Sequence, residues 1–270
     1  MYYKVTSETE KHWGFQYKDG LNVDTRNFEE GVNHVAGLHF SDIYGISKFF
    51  DCGIYVREVI LPDDSDFKMV KRNNNQGWKA NKIILGKKWD IEEFVRKHHQ
   101  QLDWFYISGI RILSEDFIRT FKDDVNWNQI SYHSWMLSED FMREFKDRLN
   151  WHTLSYRQRM SENFMREFKD KIDWHMVSSY HQKLSEDFMR EFKDKIDWYE
   201  ISHQQKFSED FAREFKKKLF LEAIPRCQKH FSKEFIAELE EYKRPCKIPY
   251  EPQITVEIKD NSKVKTCYLM

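Results

Sequence analysis

Glycine and proline are scarce, with 9 and 5 among 270 residues. A chain built mainly of hairpins and loops needs more of both, so long stretches of helix are expected. Cysteine is scarcer: Cys52, Cys227, Cys246 and Cys267 form neither a CxxC pair nor a Cys/His ligand spacing. That pattern argues against a zinc site and reads as reduced, intracellular thiols. No apolar run approaches the roughly 18 residues that a membrane span requires. The opening Met1-Tyr-Tyr-Lys-Val-Thr-Ser lacks the pattern of a signal peptide, so a soluble intracellular protein is expected. Charge of one sign is missing too, since 44 Lys and Arg balance 45 Asp and Glu. Such a chain has no global field to draw it onto nucleic acid or a membrane.

What the chain does have is aromatic rings, 16% of its residues, beside 33% charged ones. Disordered chains are poor in aromatics, so this one should fold. The rings are periodic. Trp104, Trp127, Trp151, Trp174 and Trp198 recur at intervals of 23, 24, 23 and 24, and Ser114, Ser138, Ser161, Ser185, Ser208 and Ser232 follow the same beat. The unit is Ser-Glu-Asp-Phe-Met-Arg-Glu-Phe-Lys-Asp-Lys-Ile-Asp-Trp-x-x-Ile-Ser, as at Ser185 to Ser202.

Ser185 has the chemistry of a helix N-cap, and Glu186 and Asp187 suit the positive end of the helix dipole. Phe188, Phe192 and Ile196 fall on one helical stripe. Glu186 with Arg190 and Glu191 with Lys195 are spaced for i,i+4 pairs on the exposed face. Asp197 can cap a second, shorter helix carrying Trp198 and Ile201 on one side. The interval from Ser to Trp is always 13 residues, so the extra residue of the longer units falls in the loop after the second helix. Inside a helix it would rotate the apolar stripe by about 100°. A degenerate first copy begins at Asp90. At the far end Leu221 replaces the Trp and Pro225 the Ser, as terminal units of a stacked array require.

The flanks differ. Tyr2 to Thr6, Ile54 to Leu61 and Trp78 to Leu85 read as strands, rich in Val, Ile and aromatics. Ser41 to Cys52 reads as a helix with Ser41 as cap and Gly53 as stop, and Asn73-Asn-Asn-Gln-Gly as a turn. After Pro245, Gln253 to Glu257 and Lys263 to Leu269 make a hairpin pattern. The expected architecture is mainly α: a small α+β domain (1–88), an α-solenoid of short helical hairpins (89–244) and a C-terminal β-hairpin tail (245–270).

The unit Leu-Ser-Glu-Asp-Phe-Met-Arg-Glu-Phe-Lys-Asp-Lys-Ile-Asp-Trp resembles repeats in proteins of the large DNA viruses of amoebae, the mimivirus group. Gly14-Phe-Gln-Tyr, Gly37-Leu-His-Phe-Ser-Asp, Tyr55-Val-Arg-Glu-Val-Ile-Leu-Pro and Trp78-Lys-Ala-Asn-Lys-Ile-Ile-Leu-Gly are similar to the segment that accompanies such repeats. The resemblance implies a viral protein acting in the host cytoplasm or carried by the virion, and supplies no catalytic residues. A looser likeness links Gly37-Leu-His-Phe-Ser-Asp and the strand at Tyr55 to the core of ADP-ribosyltransferases. It would make Glu58 the ribose-orienting glutamate, with His39 or Tyr3 near the nucleotide. No His-Tyr-Glu or Arg-Ser-Glu set accompanies it.

The repeats supply no catalytic constellation, metal ligand set or cofactor motif. The Trp column could stack bases in an RNA-binding array, but Trp and Ile three apart on a short helix favour packing between the two helices of each unit. His133, His152, His175, His181, His203 and His230 do not all share one repeat position, and no carboxylate recurs beside them, so they read as solvated. The copies vary in the second helix and following loop: Tyr132-His-Ser-Trp135, Tyr156-Arg-Gln-Arg159, Ser179-Tyr-His-Gln182 and His203-Gln-Gln205. That edge is the expected binding face, with Tyr132, Trp135, Tyr156, Arg157, Arg159, Tyr180 and His203 as its contacts. A non-enzymatic interaction scaffold or assembly subunit with a viral or host protein partner follows. The alternatives are an RNA-binding repeat protein and a transferase-like head acting on a host protein.

Overall fold

A computed structural model describes residues 1–29, 36–72, 77–133, 137–179 and 182–240. Among the described residues the N-terminal head contains nine short strands: β1 Tyr2–Thr6, β2 Lys11–His12, β3 Phe15–Gln16, β4 Gly20–Val23, β5 Leu38–Asp42, β6 Tyr55–Ile60, β7 Met69–Lys71, β8 Trp78–Ala80 and β9 Lys82–Asp90. Seven make one antiparallel sheet in the order β4-β9-β6-β1-β5-β8-β7, and β2 and β3 form a separate hairpin. Alternation along β1 sends Tyr3 and Val5 into one core and Tyr2 toward another, which is built on Leu38, Phe40, Val59 and Ile83.

The head is therefore a sheet with a thin helical cover. Ser41, expected to cap a helix, lies in β5 opposite Tyr3, because Leu38 and Phe40 alternate into the sheet core. Only Ile46–Cys52 coils, as a 3-10 helix preceded by Gly45 without a side-chain cap. The chain does leave it at Gly53, where a Cβ would stand 2.2 Å from the Thr6 carbonyl oxygen, so glycine is needed for the close approach. The run from Trp78 to Leu85 divides into β8 and β9. At the break, the Asn81 amide donates to the Asp66 carbonyl and accepts from the Lys68 N–H.

Strand β9 runs directly into the helices. Asp90, its last residue, accepts from the Glu92 N–H at 2.8 Å and caps α1 (Ile91–His98). Helices then alternate: α2 Trp104–Ser108, α3 Glu115–Thr120, α4 Trp127–His133, α5 Glu139–Glu144, α6 Trp151–Arg157, α7 Glu162–Glu167, α8 Trp174–Ser178, α9 Glu186–Glu191, α10 Trp198–Gln204, α11 Glu209–Phe215, α12 Ile224–Cys227 and α13 Lys233–Glu240. Odd-numbered helices are the first of each unit and even-numbered ones the second. The periodic Ser caps as expected, accepting from the N–H three residues on at 3.1–3.2 Å.

The first helices are shorter than the stripe suggested. In α9 the helix stops at Glu191, and Phe192 accepts from both Lys195 and Ile196 in a tightened turn. Phe188, Phe192 and Ile196 are buried all the same. Glu191 and Lys195 thus do not share a helix. Glu191 pairs with Arg166 of the unit before, and Lys195 with Asp170.

The Trp column packs between units, where packing within each unit was expected. Trp151 lies 4.7 Å from Phe168 and Trp174 4.8 Å from Phe192, each ring of the following unit. Each Trp from 127 to 198 is half-buried and donates its indole N–H to the carbonyl of the Lys five residues earlier. The head and array share one apolar cluster running from Tyr3 and Val56 through Phe94 to Leu239, so the sheet seals the first end of the array.

Candidate interaction face

Polar ladders join the units, and they determine which groups are left for a partner. On the first-helix edge, the Glu that opens each helix accepts the N–H of the next capping Ser, as Glu139 does from Ser161 and Glu186 from Ser208. Arg143 pairs with Asp140 and Glu139 in its own helix and with Glu167 in the next, and its guanidinium lies 5.1 Å from the Phe164 ring. Arg119, Arg190 and Arg213 repeat the arrangement. Their guanidinium pKa values rise, first because of the hydrogen bond to the next unit's Glu. Below them Arg148, Lys171, Lys195 and Lys218 pair with Asp123, Asp147, Asp170 and Asp194.

Two more ladders run through the second helices. The buried Ser that ends the repeat motif donates to the Trp carbonyl in its own helix and accepts the N–H of the next cap: Asp173 to Ser155, Asp197 to Ser178. Gln158, Gln182, Gln205 and Gln228 form the other. Gln205 donates to the Gln182 carbonyl at 2.8 Å and accepts from the Leu184 N–H at 3.2 Å. These four are buried. Gln158, Gln182 and Gln205, counted with the variable edge in the sequence, are internal struts.

Two rows one helical turn apart stand out on the exposed side of the second helices. One row is Phe105, Asn128, His152, His175 and Tyr199; the other includes Tyr132, Tyr156 and His203. Phe105, Tyr106, Tyr132, Tyr156, Tyr199 and Phe220 are large exposed rings of this edge. Arg157 bridges neighbouring units, its guanidinium 4.2 Å from the Tyr132 ring and 5.3 Å from Tyr156. His203 stacks on Phe220 and lies tilted against Tyr199, ring centroids 4.2 Å apart. A groove of about 650 Å³ opens where this edge meets the head, lined by Phe105, Tyr106 and Ile112 on one side and Lys48 and Asp51 on the other.

Of the expected contacts, Tyr132, Tyr156, Arg157 and Arg159 are exposed and His203 is half-exposed. Trp135, Tyr180 and the expected hairpin of 245–270 lie outside the described residues. Phe105, Tyr106, Tyr199 and Phe220 were missed because Phe105, Tyr106 and Tyr199 follow a column Trp within two residues and Phe220 takes the cap position before Leu221. The histidines are a correction. His152 contacts Asp173 at 2.7 Å and His175 contacts Asp197 at 2.8 Å, so a carboxylate does recur beside them. The His175 ring is raised above its usual value, chiefly by that bond to Asp197. Burial acts to raise Asp197, but the His175 ring and the Glu200 and Tyr199 amides outweigh it and lower the carboxyl.

In the head, Tyr3 and Glu58 are opposite one another on β1 and β6. Tyr3 is buried, its hydroxyl donating to the Met1 sulfur at 2.8 Å. His39 lies two positions before Ser41, the β5 partner of Tyr3. Among the described residues no group of three or more His, Cys, Asp or Glu could hold a metal ion, and no helix is long and apolar enough to cross a membrane.

Fold and site together define a helical repeat protein with an antiparallel-sheet head. Two proteins of Acanthamoeba polyphaga mimivirus that are named for ankyrin repeats match it, one 39% identical over 97 residues and one 38% identical over 94. Each match takes in 34% of this chain, and the chain spans 48% and 28% of their lengths. An uncharacterized protein of the same virus is 44% identical over 97 residues, 34% of this chain and 70% of its own length. The chain belongs to this family of mimivirus proteins. An ankyrin unit has about 33 residues, whereas the units here have 23 or 24. No family model matches the chain, and no solved structure does.

Proposed function

We propose that this is a non-enzymatic scaffold of a large DNA virus, an α-solenoid that binds a viral or host protein along its second-helix edge. The observation that carries the reading is the segregation of exposed rings. Phe105, Tyr106, Tyr132, Tyr156, Tyr199 and Phe220 share one edge, while the arginines of the other edge are matched by carboxylates within the array. Exposed aromatics mixed with Arg are the composition of interface anchors. The repeat names of its relatives agree with a role in binding. RNA stacking on the Trp column has less support, since each column ring already packs on a Phe. A site of action in the host cytoplasm, or in the virion, belongs to the same reading.

The test is site-specific photo-crosslinking in infected amoebae. A crosslinking residue at Tyr156 should capture a discrete protein that one at Asp140, on the opposite edge, does not. Capture from Asp140 alone, or of RNA in place of protein, would overturn the assignment.

A further inference from the structure

The head contains a second cavity, of about 190 Å³, that the interaction face does not use. Lys4 and His39 line its floor from β1 and β5. Ile46 and Phe49 of the 3-10 helix form an apolar wall, and Trp13 stands in the turn between β2 and β3. The lining includes basic side chains, Lys4, His12, His39 and Arg72, and among the described residues no carboxylate.

Lys4 is the central observation. Its ammonium is buried, donates to the His39 carbonyl at 3.0 Å and lies 4.4 Å from the Tyr17 ring centre. Among the described residues no carboxylate pairs with it. A buried cation without a counter-ion is costly. Burial, the largest influence, brings its pKa down to about 8, which leaves it charged near neutrality. Two neighbours are also incomplete: the buried His39 Nε2 and the Ser41 hydroxyl have no partner. Burial first, then the charges of Arg72, Lys4, His12 and Lys79, push the His39 ring down to about 3. It is therefore a neutral imidazole, which can still donate from Nε2. An ammonium, an imidazole and a hydroxyl around one cavity form a donor set in need of an acceptor.

Trp13 suggests the rest of the ligand. It is 63% exposed and has a φ of 49°, a conformation that costs a bulky residue energy and persists where the surroundings or a function hold it. Its ring meets His39 edge-on at 5.6 Å. A dry cavity of about 150 Å³ accepts benzene, so this one suits a ring carrying a single small anionic group. We propose that the cavity binds a small planar monocarboxylate, its carboxylate at Lys4, His39 and Ser41 and its ring between Trp13 and Phe49.

Benzoate is the probe, titrated into the full chain by calorimetry and by amide and indole NMR. Saturable single-site binding that shifts the Trp13 indole N–H is expected. Benzamide, the neutral counterpart, should bind roughly tenfold more weakly or worse, because the charge-assisted bonds are lost. Lys4→Met should lose binding to a similar degree. Trp13→Gly suits the positive φ and leaves the floor intact, so it should weaken binding about fivefold in a folded protein; it decides the matter if Lys4→Met does not fold. The proposal fails if benzoate does not bind, if benzamide binds as well, or if either folded variant keeps full affinity. Binding of inorganic phosphate in place of benzoate would also overturn it, by removing any role for the ring.

Discussion

The first-helix and second-helix edges of the array come from the same units but hold their polar groups in opposite ways. On the first, Arg143 serves its own helix and the next, and Glu139 accepts the amide of the following Ser. Each residue has two partners a unit apart, so a change in one copy breaks contacts in two. The sequence Glu-Asp-Phe-Met-Arg-Glu recurs unaltered in α5 and α9. On the second edge the Trp, the apolar residue, the Ser and the Gln are tied to a neighbour in copy after copy, whereas His152, His175 and Arg157 reach the adjoining unit from positions that change between copies. The positions between them vary freely and carry the exposed rings. In this array, sameness marks the joints and variation marks the available surface.

The core underlies both edges, and its loss should have the largest effect. Phe188 is fully buried between its own unit and the Trp174 ring 6.1 Å away. Phe188→Ala should cost about 3–5 kcal/mol in denaturant unfolding; a cost near that of a surface change would contradict the packing of unit on unit. Next comes Gln205→Ala, which strands the Leu184 amide and the Gln182 carbonyl and should cost about 1–3 kcal/mol. Tyr132→Ala, on the exposed row, should stay within about 0.5 kcal/mol. If Gln205→Ala and Tyr132→Ala cost the same, the division between struts and free surface is wrong.

Periodicity made the joints legible. The Ser caps, the Asp197 cap, the Phe stripe and the placement of the extra residue in the loop all follow from local rules and a 23- or 24-residue beat. The partners of those residues were not legible, because a ladder between units looks like an i,i+4 pair within one. Arg190 meets Glu186 as spacing suggests, and it also reaches Glu214, 24 residues away. The Gln ladder could have been found, since Gln158, Gln182, Gln205 and Gln228 keep nearly the same beat as the Trp. It was hidden in segments that look variable around it. The head was harder. Leu38-His-Phe-Ser-Asp joins the sheet through pairing with distant strands, and such pairing leaves only weak local signals.

A smaller effect than those of Phe188 and Gln205 is expected from the charge ladder. Arg190→Ala removes pairs to Glu186, Asp187 and Glu214, but its side chain is 35% exposed. Pairs in that setting are screened and contribute at most about 1 kcal/mol. The loss should shrink further in 1 M salt, at which the Debye length is about 3 Å. A large, salt-independent loss would mean that the guanidinium acts mainly by covering the Phe211 ring, which lies 5.2 Å away.

The smallest effect concerns a recurrent polar contact on the exposed edge, between a His and the Asp of the next unit. The Asp197 carboxylate raises the His175 pKa above 6.5. A raised folded-state value means that the pair's contribution is complete below about pH 6.5 and is lost as pH climbs through the raised value. Asp197 is lowered below 3.8, so its share is present above that and is lost as pH falls through the lowered value. The pair therefore helps most in mildly acidic solution. A proton NMR titration of the His175 ring should give a midpoint above 6.5. Asp197→Asn keeps a capping side chain but removes the charge, and should return the midpoint toward the ordinary value while α10 stays folded. A midpoint unmoved by Asp197→Asn would show that the contact has no electrostatic content in solution. The second-helix edge would then lack any polar tie between its exposed side chains at this step, and the contrast with the first-helix edge would be sharper than the structure draws it.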